Sequence, residues 1–74
     1  MKCIVRLIWD EEAQVWIATS EDVPGLVLES GSFDALVERI KYAVPELLEL
    51  NSRKAPFYDL LFTSERHEKV EMYG

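Results

Sequence analysis

The sequence predicts an α+β fold, in which a three-stranded antiparallel meander is followed by one helix and a fourth strand. Three observations predict it. Three short apolar stretches near the start are separated by turn residues, a segment of helical periodicity follows Ser32, and a further apolar stretch spans 57–63. The 74 residues suffice for one domain. We expect its core at 2–63 and a charged extension at 64–74.

The first two strands are predicted at 2–9 and 14–20, joined by a loop at 10–13 that contains an acidic cluster. Both strands are rich in β-branched and large apolar residues. With these bounds the predicted register is Trp9 opposite Gln14, Leu7 opposite Trp16 and Val5 opposite Ala18. The face turned toward the helix then carries Cys3, Val5, Leu7, Trp9, Trp16 and Ala18.

A turn at Val23-Pro24-Gly25 separates the second strand from a short third strand at 26–29. Proline fixes φ near the value that the second residue of a turn needs, and glycine accepts the positive φ of the third.

The helix is predicted to begin after Ser32, which is a good N-cap residue, and Asp34 in its first turn complements the helix dipole. Because proline removes a helical hydrogen bond, Pro45 predicts either a kink near Ala43 and Val44 or a fresh helical start. A polar linker at 51–56 ends the helix, and the fourth strand follows. The apolar stripe consists of Phe33, Leu36, Val37, Ile40, Val44, Leu47 and Leu48.

A right-handed crossover through the helix places the fourth strand beside the first. The predicted sheet order is therefore 3-2-1-4, with the helix on one face.

Composition and charge narrow the functional classes. Eight basic and fourteen acidic side chains give a net charge of −6, which argues against nucleic acid as a direct partner. Cys3 is the only cysteine, so no disulfide can form within the chain. This is typical of a protein from a reducing compartment. No apolar run is long enough for a membrane span, and the first residues lack the pattern of a signal peptide. We expect a cytoplasmic protein without a membrane partner.

Three segments carry a family resemblance: the strand Val15–Ser20, the turn Asp22-Val23-Pro24-Gly25-Leu26, and the helix after Ser32. Together they resemble the HicB-like fold of bacterial and archaeal antitoxins. The stretch Val44-Pro45-Glu46-Leu47-Leu48-Glu49-Leu50-Asn51 looks like a subgroup of small, stand-alone HicB-related proteins of unassigned function. The resemblance covers about residues 2–63.

The resemblance implies a partial ribonuclease-H-like fold that binds a partner and performs no chemistry. In the antitoxins this domain covers a HicA-type ribonuclease toxin, and a separate C-terminal domain binds operator DNA. The sequence departs from that pattern after Thr63, where the remaining segment is too short and too acidic for a DNA-binding domain. DNA binding is therefore not carried over, and the implied partner is a small basic toxin protein.

Catalysis by a ribonuclease-H-like site needs carboxylates that converge on metal ions, and residues 3–9 contain none. The acidic residues Asp10, Glu11, Glu12 and Glu29 are expected at one end of the sheet. They are either a divalent-metal or small-ligand site or a solvated acidic turn, and the turn is the simpler interpretation. A pairing of Cys3 with His67, the only histidine, is disfavoured by their separation along the chain. We expect no enzyme and no cofactor.

The sheet face opposite the helix is predicted to carry Ile4, Ile8, Val15, Ile17 and Val27, which is too apolar for a surface left in water. The fourth strand offers a second docking surface at the sheet edge. We therefore predict a homo-oligomer, the alternative being a better-closed monomer whose register differs by one residue. The acidic surplus lies in residues 1–50, which suits a basic partner. The predicted interface residues are Ile4, Arg6, Ile8, Val15, Ile17, Phe57, Tyr58 and Leu61.

Overall fold

The computed structural model describes residues 1–73 and contains four strands and one helix. Gly74, the last residue of the predicted extension, lies outside the described residues. Within the described chain, no helix is long and apolar enough to cross a membrane. The elements are β1 (Lys2–Asp10), β2 (Val15–Thr19), β3 (Val27–Ser30), α1 (Phe33–Leu50) and β4 (Asp59–Glu65).

The four strands form one mixed sheet in the order β3-β2-β1-β4, with β4 parallel to β1 and the other pairs antiparallel. This confirms the predicted fold class and strand order. The helix covers one face of the sheet, and alternate residues of β1 point into the core between them. The fully buried core residues include Cys3, Val5, Leu7, Ala18, Leu36, Ile40, Val44 and Leu48.

The predicted register between β1 and β2 is wrong by two residues. Trp9 pairs with Trp16, and Leu7 pairs with Ala18. The loop extends through Gln14, which has a positive φ of 56°, and the Asp10 carboxylate accepts hydrogen bonds from two backbone N–H groups of that loop. Because the side-chain period of a strand is two, a shift of two leaves every residue on its predicted face.

The turn before β3 has the predicted geometry. The Leu26 N–H donates to the Val23 carbonyl at 3.1 Å, and Gly25 has a φ of 87°, as the third residue of a type II turn requires. Leu26 is buried and β3 begins one residue later, at Val27.

The helix begins at Phe33, where the Ser32 hydroxyl accepts a hydrogen bond from the Ala35 N–H at 3.2 Å. Of the two alternatives predicted at Pro45, the fresh helical start is wrong, because α1 continues through that residue as one helix. Proline lacks an N–H and leaves the Lys41 carbonyl without its helical donor. Lys41 is exposed, so water is available to that carbonyl, and Val44 and Leu48 remain buried on either side.

The fourth strand is shifted by two residues from its predicted bounds, to Asp59–Glu65. The chain start sets this boundary, because the Met1 carbonyl accepts from the Asp59 N–H at 2.7 Å and the Met1 amino group donates to the Phe57 carbonyl at 3.1 Å. Tyr58 precedes the strand, and its hydroxyl accepts a hydrogen bond from the Ala55 N–H. Residues 66–73 have neither helix nor strand, and the molecule measures 58 × 18 × 18 Å.

Candidate functional site: the open face of the sheet

The sheet face opposite α1 carries apolar side chains on all four strands, exposed on β1, β3 and β4 and half-buried on β2, and we call it the open face. Ile4 is 44% exposed, Leu61 is 46% exposed and Val27 is 69% exposed. No element among residues 1–73 covers this face. Its apolar residues are Ile4, Ile8, Val15, Ile17, Val27 and Leu61.

Strand pairing brings these side chains together across the sheet. Ile4 lies beside Leu61 on β4, and Ile8 lies beside Ile17 on β2. Side chains on one face of paired strands are neighbours at about 4.5–5.5 Å between Cβ atoms. The open face therefore holds two apolar pairs, one on each side of the row that contains Arg6.

Charged groups border the apolar pairs. The Arg6 guanidinium forms an ion pair with Glu65 of β4 at 3.6 Å, and both side chains are more than half exposed. A shallow depression of about 210 Å³ lies beside Ile4 and is also lined by Arg6, Glu21 and Asp22. A partner seated on this face meets apolar residues with the cations of Lys2 and Arg6 and several carboxylates around them.

The backbone of Ile4 has no partner on β2, because the β1–β2 pairing begins only at Arg6. Two side chains take the place of that partner. Asp22 accepts the Ile4 N–H at 2.7 Å, and the Ser20 hydroxyl donates to the Ile4 carbonyl at 2.6 Å. A backbone group without a partner is unfavourable wherever water is kept away. These contacts hold β1 extended and keep Ile4 in place under a docked partner.

The structure brings six of the eight predicted interface residues onto the open face. Tyr58 is not among them, because it is half-buried against the core, as are its neighbours Leu60 and Phe62. Phe57 is exposed but precedes β4. The prediction that the fourth strand presents Phe57, Tyr58, Leu60, Leu61 and Phe62 as one apolar docking surface is thus wrong in part: of the apolar residues of β4, Leu61 alone lies on the open face. That these residues bind a protein stays a prediction.

Sequence reasoning missed a groove between α1 and β4. Its volume is about 350 Å³, and it is lined by Lys41, Pro45, Tyr58, Leu60 and Phe62. The alternation of side chains in β4 could have predicted this groove, because the even-numbered apolar residues face the helix and Leu61 does not.

An aromatic cluster at one end of the sheet was also missed, because it depends on the corrected register. Trp9 and Trp16 lie edge to face at 5.4 Å, and Phe33 joins Trp16 at 5.0 Å. The Arg66 guanidinium sits 4.3 Å from the centre of the Trp9 ring, where the ring quadrupole attracts a cation. The cluster fixes the point at which the chain leaves the sheet.

The acidic residues at that end of the sheet act locally. Asp10 accepts backbone N–H groups of the loop, and Glu11 accepts the Trp9 indole N–H at 2.6 Å and a Gln14 amide N–H at 3.1 Å. In residues 1–73, no three Asp, Glu, His or Cys side chains are grouped so that they could hold a metal ion. The solvated-turn interpretation accounts for these contacts.

Cys3 is fully buried near the start of β1, which is a central strand of the sheet. Burial raises the pKa of its thiol, and the carboxylate of Asp22 raises that pKa further. The protonated form is therefore favoured, whereas a nucleophilic cysteine needs a lowered pKa. His67 lies seven residues beyond Leu60, the strand partner of Cys3, which corresponds to about 23 Å of extended chain.

The comparisons with known proteins assign the family. A family model described as a domain of unknown function, DUF1902, matches residues 2–73. The chain belongs to the DUF1902 family. None of the curated proteins compared with it matches.

A solved protein of similar length supports the fold of this DUF1902 protein. It is the hypothetical protein TTHA1013 from the extremely thermophilic bacterium Thermus thermophilus. The two chains are 33% identical, the TM-score is 0.74, and the match covers 97% of this chain and 100% of the other.

Proposed function

We propose that this DUF1902 protein is a non-catalytic, oligomeric protein-binding module of the cytoplasm, related to HicB antitoxins. Its candidate partner is a small basic ribonuclease of the HicA kind, which it neutralises by covering it. The observation that carries the proposal is the open face, an ordered four-stranded surface whose apolar pairs are left in water.

The energetics of the open face support a protein as its ligand. Ile4, Ile8, Val27 and Leu61 are between 38% and 69% exposed, and fully covering one such side chain contributes about 1.5–3 kcal/mol, so covering the exposed parts of all four contributes a few kcal/mol. Association itself costs an estimated 4–15 kcal/mol. A partner that covers the whole face and its charged border has the size that offsets this cost.

Charge supports a basic partner. The net charge is −6, and residues 1–50 contain ten acidic and four basic side chains. Complementary charge steers encounter and suppresses wrong partners. Carboxylates on the surface of this module would occupy the cationic groups with which a ribonuclease holds RNA phosphates.

The local roles of the chemical groups support a binding function over catalysis. The thiol of Cys3 is buried with a raised pKa, and the loop carboxylates accept hydrogen bonds from their own loop. These groups stabilise the fold that presents the open face.

The proposal is tested with the product of the adjacent reading frame. We expect that frame to encode a short basic protein with one catalytic histidine. When the two proteins are purified and mixed, this chain should bind it in calorimetry and inhibit its cleavage of RNA.

Matched variants locate the binding surface. Ile8→Lys and Ile17→Lys place a charge among the apolar pairs and should weaken binding at least tenfold. Tyr42→Lys is the control, because Tyr42 is an exposed apolar residue on the helix, away from the open face. The proposal fails if the neighbouring frame encodes no such protein, or if Ile8→Lys and Ile17→Lys bind it as tightly as the wild type.

A further inference from the structure

We propose that two copies of this chain exchange their C-terminal arms, defined as residues 66–73, so that the arm of each copy pairs antiparallel with β4 of the other. The inference deepens the oligomeric part of the proposed function by naming the surfaces involved. It concerns the outer edge of the sheet at β4 and borders the open face, to which Leu61 of that strand belongs.

The outer edge of β4 is free in the described chain. The strand order ends at β4, whose single neighbour is β1. An edge strand presents a row of unpaired N–H and C=O groups, which is a template for another strand. Pairing by β-strand addition uses such edges.

The arm has neither helix nor strand in one copy, and its apolar side chains are exposed. Val70, Met72 and Tyr73 are 82%, 93% and 95% exposed. Eight extended residues span about 26 Å, which is consistent with a molecule 58 Å long and 18 Å wide. The first arm residue, Arg66, directly follows β4 and is held over the Trp9 ring.

Symmetry limits the registers in which two such segments can pair. A two-fold axis perpendicular to a sheet keeps each side chain on its face, so one residue must lie opposite its own copy. If that residue is Glu65, Arg66, Glu68 or Lys69, two like charges lie opposite each other, which is destabilising. If the residue opposite its own copy lies beyond Lys69, the edge of β4 stays unpaired. If it lies before Glu65, the end of the arm extends past the strand.

When His67 lies opposite its own copy, each charged residue between 65 and 69 lies opposite a residue of opposite charge. Glu65 of one copy then lies opposite Lys69 of the other, and Arg66 lies opposite Glu68. Each pair occurs twice in the dimer, and no two like charges are directly opposite. Opposite-charge pairs across strands are stabilising.

The same register matches the apolar residues. Met72 falls opposite Phe62, and the Phe62 side chain lines the groove of about 350 Å³ between α1 and β4. Because paired residues share a face, the Met72 side chain enters that groove, and a flexible thioether suits an irregular apolar space. Tyr73 falls opposite Leu61 on the other face, which is 46% exposed. The arm of the second copy thus completes a site that one copy leaves open.

Charge reversal tests the register. Sedimentation equilibrium of the full chain should show a dimer, and Lys69→Glu should weaken it roughly tenfold, because two attractive pairs become repulsive. The double variant Glu65→Lys with Lys69→Glu restores both pairs and should recover most of the affinity. Lys54→Glu is the control, since it makes the same charge change at an exposed residue of the loop before β4.

A cysteine placed at the centre tests the geometry directly. In antiparallel strands, opposite Cα atoms lie about 4.5–5.5 Å apart, within disulfide range. His67→Cys should therefore form a disulfide-linked dimer under mild oxidation. Thr63→Cys is the control and should not, because its two copies are about 26 Å apart in this register.

Two results would overturn the arm exchange. One is a monomer at 100 µM and above. The other is a dimer that Lys69→Glu leaves unchanged and that His67→Cys does not cross-link. If Ile8→Lys weakens that second kind of dimer, the arm exchange is excluded and the open face remains as a protein-binding surface.

Discussion

Cys3 shows how one side chain's surroundings set its chemistry. Its thiol lies under α1, fully out of water, and burial followed by the charge of Asp22 raises its pKa. Because the folded pKa lies above the unfolded value, the protonated thiol contributes stability that is complete below the unfolded pKa of about 8.5. That contribution is lost as the pH rises toward the folded pKa.

The free energy of unfolding should therefore fall between pH 8 and pH 10 more steeply in the wild type than in Cys3→Ala. The difference in slope is at most about 1.4 kcal/mol per pH unit, the limit for one proton. Urea denaturation at a series of pH values measures it. Contributions from groups that the two proteins share cancel in the comparison. Parallel curves would show that Cys3 ionises as easily in the folded state.

At the scale of elements, sequence patterns predicted which segments form strands and helix and which faces they bury. They did not predict the β1–β2 register, because nothing in the composition of the loop indicates that Gln14 takes a positive φ. The bounds of β4 depend on hydrogen bonds from Met1, which is distant in sequence. Pro45 remains inside α1 because Val44 and Leu48 are buried against the sheet, and tertiary packing outweighs a local preference.

The turn between β2 and β3 depends on glycine at one position. Gly25→Ala should destabilise the fold by about 1 kcal/mol, because alanine is strained at a φ of 87°. Gly31→Ala is the matched control, since Gly31 has no positive φ and its added Cβ would lie 3.5 Å from the nearest atom, an ordinary contact. Thermal unfolding of the two variants measures the difference. Equal losses of stability would contradict this account of the turn.

The helix contributes to stability through its buried stripe. Leu36→Ala should lower the free energy of unfolding by about 2–5 kcal/mol, since Leu36 is fully buried. Leu50→Ala at the exposed end of the same helix should change it by less than about 0.5 kcal/mol. Chemical denaturation compares the two. A small effect at Leu36 would mean that the core is described wrongly.

At the scale of the whole molecule, one helix covers one face of a four-stranded sheet and leaves the other in water. The sequence predicted this imbalance, because alternation alone assigns Ile4, Ile8 and Ile17 to the same side. It did not predict the groove beside β4 or the contact of Arg66 with Trp9, which need strand pairing to appear. The surfaces proposed for partners thus follow in part from pattern and in part from topology.

The central claim is that another protein covers the open face, and the four isoleucines provide the most direct measurement. Ile4, Ile8 and Ile17 lie on that face, and Ile40 is fully buried in the core. In isoleucine-methyl-labelled protein, a soluble paramagnetic agent should broaden the first three signals in the free chain and spare Ile40. Adding the basic protein from the adjacent reading frame at saturation should shift those three signals and protect them, with Ile40 unchanged. Equal broadening of the three signals in the free and bound states would contradict the account.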